Sequence, residues 1–127
     1  MFEFHGWAVI QVPDVADEAE RARVFEFVAA AVRDAQDGFS LLDLASGGNG
    51  LVVLRLHGLR NHRRDEALDL FRRVAGGAPA SYGILYVYDP ESERDNEFRT
   101  FRMARGVVEE FEDSILSPRY PTIEDEY

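Results

Sequence analysis

Residues 1–12, MFEFHGWAVIQV, decide how this chain is read, because two kinds of side chain alternate along them. The even positions Phe2, Phe4, Gly6, Ala8 and Ile10 are apolar or small. The odd positions Glu3, His5, Trp7 and Val9 carry an acid, a histidine and the only tryptophan. A period of two marks a β-strand with one face on a core, and Pro13, which fixes φ and donates no hydrogen bond, is expected to end the strand after Val12. The even face is the core face, and the odd face poses the functional question.

Beyond Pro13, Asp17 with Glu20 three residues on forms a box-like helix start. Ala22, Phe25, Val28, Ala29 and Val32 then recur at helical spacing toward Gly38. FSLLDLAS and LVVLRLHGL are β-rich runs joined by GGNG, whose residues tolerate positive φ, so a hairpin is expected. A second helix is expected to open at Asn61 or His62, to bury Ala67, Leu68, Phe71, Val74 and Ala75, and to end at Gly76-Gly77. SYGILYVYD reads as a strand and PESERDN as a charged turn. EFRTFRMARG and VVEEFE read as two further strands or one strand bent at Gly106. The remaining segment carries Pro118 and Pro121 with no period, so residues 112–127 are expected to form an extended tail packed on the sheet.

The resulting order, β-α-β-β-α-β-β, predicts one α+β domain over residues 1–127, with two helices packed on one face of a mainly antiparallel, ferredoxin-like sheet. The first strand is then central, between the third and fourth. Its odd face collects Glu3, His5 and Trp7 with Val53, Arg55, His57, Tyr82, Ile84, Tyr86 and Tyr88.

A length of 127 residues with 46% hydrophobic content suits a single core. No apolar run is long enough to cross a membrane, and Glu3 and His5 stand where a signal peptide would carry basic residues, so a cytoplasmic location is expected. There is no cysteine, which excludes disulfides and thiolate metal sites. The 24 acids outnumber 14 bases, all of them arginine, for a net charge of −10, which disfavours nucleic acid and anionic lipid and favours a basic partner. Glu109, Glu110, Glu112, Asp113, Glu124, Asp125 and Glu126 crowd the end of the chain against Arg119 alone.

Several chemistries are weighed on this pattern. GGNG lies between strands and lacks the following helix of a phosphate cradle. The aromatic odd face resembles a base-stacking platform, but such platforms need a basic footprint. His5, His57 and Glu3 suit zinc or iron, yet two histidines without a third firm ligand make a weak metal site, and no cofactor or metal is expected. No cysteine, nucleophile elbow or serine context supports covalent catalysis. A patch with one tryptophan and three tyrosines exceeds what monomers leave bare, so the tail, a second copy or a partner is expected to cover it. Gly6 is expected to let a neighbour approach the sheet closely, and Trp7 to hold the tail or a partner against it.

Four stretches in order carry a family likeness: MFEFHGWAVI at the start, HGLRNHRRD before the second helix, SYGILYVYD in the fourth strand, and NEFRTFRMARG with SPRYPTIEDEY at the end. Together they resemble the immunity protein 7 family of bacterial polymorphic toxin systems. The resemblance implies an α+β antitoxin, not an enzyme, that protects its own cell by binding a secreted toxin domain encoded beside it. It names no contact residues. From charge, a nuclease toxin with a basic groove is the natural target, neutralised by stoichiometric occlusion. Glu109, Glu110, Glu112, Glu124, Asp125 and Glu126 are the candidates for steering, and Trp7, Tyr86 and Tyr88 for anchoring. The alternative is a ferredoxin-like ligand-binding or regulatory domain that forms a homodimer through the open face. The sequence leaves the oligomeric state open.

Overall fold

A computed structural model describes residues 1–125. Strand β1, Phe2–Val9, ends before the expected Val12. The Ile10 N–H makes a last bond to the Val52 carbonyl at 2.9 Å, and the Gln11 N–H turns instead to the Ser81 hydroxyl at 3.0 Å. Helix α1, Glu18–Ala35, starts as expected, with the Asp17 carboxylate accepting from the Glu20 N–H at 2.8 Å. Its buried stripe is Val28, Ala31 and Val32, and Ala22 is exposed.

Strands β2, Leu41–Ser46, and β3, Val52–Arg60, form the expected hairpin. Its turn contains Asn49 at φ 58° and Gly50 at φ 76°. Helix α2 spans Glu66–Gly77 and so begins later than Asn61 or His62. The cause is non-local: β3 runs on to Arg60, which pairs with Phe2, and residues 61–65 are then needed to turn the chain. Strands β4, Tyr82–Tyr88, β5, Phe98–Ala104, and β6, Val107–Glu112, follow. A short helical turn, α3, lies at Arg119–Thr122.

All six strands form one antiparallel sheet in the order β2-β3-β1-β4-β5-β6. β1 is central, between β3 and β4. The expected β-α-β-β-α-β-β order is one strand short. Arg105 at φ 52° and Gly106 at φ 81° reverse the chain, so the segment after β4 folds into a hairpin and widens the sheet.

Helices α1 and α2 cover one face of this sheet. Phe2, Phe4 and Ala8 of β1 and Ile10 just after it are buried there with Leu54, Leu56, Leu85, Phe71 and Val74. Burying each large apolar side chain contributes about 2 kcal/mol relative to exposure. Gly6 faces this core: a Cβ there would sit 2.8 Å from Leu85 Cδ1 and 2.9 Å from the Ile84 carbonyl. The close approach expected at Gly6 is therefore made by core side chains and the backbone of the neighbouring strand β4. Gly83 pairs with Ala8, and a Cβ on it would collide with the Trp7 carbonyl oxygen.

Candidate functional site

The face of the sheet turned away from the helices carries the residues singled out from the sequence, and strand register sorts them into rows. One row runs Leu59, Glu3, Tyr88, Phe98. The next runs Leu41, His57, His5, Tyr86, Thr100, Phe111. The third runs Asp43, Arg55, Trp7, Ile84, Arg102, Glu109.

Glu3, Tyr88 and Phe98 of the first row are covered by residues 113–125, and Leu59 at its edge stays exposed. Arg119 lies 4.2 Å above the Tyr88 ring centroid and 5.8 Å from that of Phe98. Its guanidinium donates to Glu3 at 2.7 Å and to Glu124 at 3.3 Å. Asn96 fixes the neighbouring backbone, accepting from the Tyr120 N–H at 2.8 Å and donating to the Tyr120 carbonyl at 3.1 Å. The Ser117 hydroxyl accepts from the Phe98 N–H at 2.8 Å and donates to Asp113 at 2.8 Å. Asp113 also accepts from the Ile115 and Leu116 N–H groups at 3.0 and 3.1 Å. Asn96, Asp113, Ser117 and Arg119 make a clasp that was not assigned from sequence, although Arg119 stood out as the one base among the terminal acids.

From the clasp a polar chain crosses to the second row. Glu3 Oε2 lies 2.7 Å from His5 Nε2, and His5 Nδ1 lies 2.9 Å from His57 Nδ1. Burial raises the Glu3 pKa, but the bonds from His5 and Arg119 outweigh it and hold the carboxyl below its ordinary value. Burial and the positive charges of His5 and Arg55 push the His57 pKa down. In the trio weighed for a metal, both His5 nitrogens, His57 Nδ1 and both Glu3 oxygens are thus engaged with one another or with Arg119. Among the described residues, no group of three or more histidine or acidic side chains is placed to hold a metal.

The candidate anchors divide. Tyr88 is buried, with its hydroxyl donated to the Asp95 carbonyl at 2.8 Å, so anything docking on this face meets Arg119 first. Tyr86 is half-buried, its hydroxyl 3.5 Å from Asp113, and burial followed by that negative charge raises its pKa. Trp7 is 42% exposed and packs edge-on to Tyr82, which is 46% exposed. The clasp contacts the Glu3 end of the sheet and not Trp7.

The acidic candidates also divide, because side chains alternate along β6. Glu109 faces outward, 3.6 Å from Arg102. Glu110 and Glu112 belong to the helix side, where Glu110 accepts from Arg99 at 2.7 and 3.0 Å and from Arg94 at 3.3 Å. Glu124 is held by Arg119, and Asp125 is exposed. Glu126 lies outside the described residues. No described helix is long and apolar enough to cross a membrane.

Comparison with known proteins agrees with the motifs that lie along this face. The family model of immunity protein 7 matches residues 1–125, which takes in β1 with its outward Glu3, His5 and Trp7, the Ser81-Tyr82-Gly83 strand start and the clasp. No curated protein and no solved structure matches the chain. A match over essentially the whole fold places it: the chain belongs to the immunity protein 7 family.

Proposed function

We propose that this protein neutralises a secreted toxin domain by binding it one to one and covering its active site or a surface beside it, turning nothing over. The observation that carries the reading is the family match over residues 1–125. The charge of −10 points to a basic toxin surface, such as the substrate groove of a nuclease. Exposed Glu109 and Asp125, with Glu124 at the clasp and Glu110, Glu112 and Glu126, speed the encounter, and exposed aromatic and arginine side chains hold the complex.

On this reading the protein acts in the cytoplasm of the cell that makes the toxin, and the first four strands with α1 and α2 serve as a ferredoxin-like platform. Co-expression with the toxin domain encoded beside it tests the reading. The expected result is restored growth and co-purification of the two chains. Growth arrest despite soluble protein, with no co-purification, would reject it.

A further inference from the structure

Resting on that reading, we infer that the toxin docks on the less covered half of the outer sheet face, centred on Trp7, Tyr82 and Ile84, and that it presents an apolar knob from a basic surface, the knob fitting between Arg55 and Arg102 and basic side chains reaching the acids at the edges. The clasp takes up the Glu3–Tyr88–Phe98 row, reaches Tyr86 in the next through Asp113, and leaves the Trp7 row beyond to solvent. Trp7 and Tyr82 stand beside half-buried Val9, Val53 and Ile84, with Phe111 41% exposed toward the β6 edge. Tryptophan, tyrosine and arginine at the centre of such a patch are the side chains that carry binding energy.

The two arginines already have partners. Arg55 makes two bonds to Asp43, at 2.9 and 2.7 Å, and Arg102 lies 4.6 Å above the Phe111 ring. Side chains held in this way lose little further freedom on binding.

Charge selects the occupant. The Trp7 row reads Asp43, Arg55, Trp7, Ile84, Arg102, Glu109, which is symmetric in sign: minus, plus, two apolar, plus, minus. A two-fold axis along the strands through the middle of that row would stack Arg55 on Arg102 and Asp43 on Glu109. A two-fold along the row would stack each charge on itself. With either axis a second copy meets like charge with like, and in any orientation each copy brings a net −10. A basic protein is instead drawn in by the net −10, and at the face it meets an apolar centre between Arg55 and Arg102, with the carboxylates of Asp43 and Glu109 at the two edges and Asp125 beyond the clasp.

The test titrates the purified full chain with the toxin domain encoded beside it, carrying an inactivating substitution. Trp7→Ala is expected to weaken binding about 30-fold or more and Tyr82→Ser about 10-fold. Glu109→Lys should weaken it more than Glu26→Lys, which makes the same charge change on the exposed face of α1. Melting temperatures show whether each variant is folded, and Tyr82→Ser and Glu109→Lys decide the matter if Trp7→Ala is not. Wild-type binding that all three face variants keep within about threefold overturns the inference and leaves the proposed function standing. No wild-type binding removes both. A wild-type dimer in light scattering that Trp7→Ala splits would give the face to a second copy and also overturn the inference.

Discussion

Arg119 shows how much one side chain carries here. Its side chain and that of Glu3 are 16% and 17% exposed, so their ion pair lies between the surface and buried limits and contributes roughly 2 kcal/mol together with the stacking on Tyr88. A double-mutant cycle of Arg119→Met and Glu3→Gln, read by urea unfolding, should give a positive coupling energy, and additivity would place the clasp's strength elsewhere. Gly83 matters for a different reason. Alanine there must displace the Trp7 backbone, so Gly83→Ala is expected to cost about 3 kcal/mol or more in stability. Two groups contribute to the pH response. His57 binds its proton less readily in the fold than unfolded, so stability falls as pH drops below 6.5. Asp37 acts in the same direction at lower pH. Burial raises it, but bonds from the Ser40 and Phe39 N–H groups and from Arg60 lower it from 3.8 to about 2, and this stabilisation is lost as pH falls through that window. Urea midpoints should therefore be higher at pH 7.5 than at pH 5.5, and His57→Gln should flatten that difference.

At the scale of elements, the clasp is a unit whose strength lies in a few long-range bonds. Asn96→Ala removes both side-chain bonds to the Tyr120 backbone, so amides of residues 117–123 should exchange faster while those of β1 and β3 stay protected. Equal exchange in variant and wild type would show that Arg119 and Ser117 hold the segment alone. The bonds that make the clasp were not legible in the sequence, because Glu3–Arg119 and Asn96–Tyr120 join residues far apart in the chain. β1 was legible, because its period of two is unbroken from Phe2 to Ile10 and each residue reports its own face. The start of α2 was not. Asn61 and His62 look like a helix start locally, and only the pairing of Arg60 with Phe2 moves it to Glu66. The reversal at Arg105-Gly106 stood between two readings for a similar reason: one glycine serves a bend or a turn, and the Phe101–Glu110 pairing selects the turn.

For the whole molecule, the rows on the outer face were legible once β1 was placed, but which half is covered depended on the clasp. Trp7 and Tyr88 look equivalent as alternating aromatics, yet one is exposed and the other lies under Arg119. The acids behave likewise: alternation along β6 sends Glu109 to the Trp7 side and Glu110 to the helix side. Net charge still acts at long range, so association with a basic toxin should slow by roughly tenfold or more between about 0.05 M and about 0.5 M salt, with a smaller change in dissociation. A salt-independent rate would remove charge steering from the account. The most direct measurement is a titration of the active toxin domain with this protein, following toxin activity at fixed toxin concentration well above the dissociation constant. One-to-one occlusion predicts a linear fall that reaches zero at one equivalent and does not change with time. Inhibition that deepens with time at a small fraction of an equivalent, or activity that persists at excess, would contradict it.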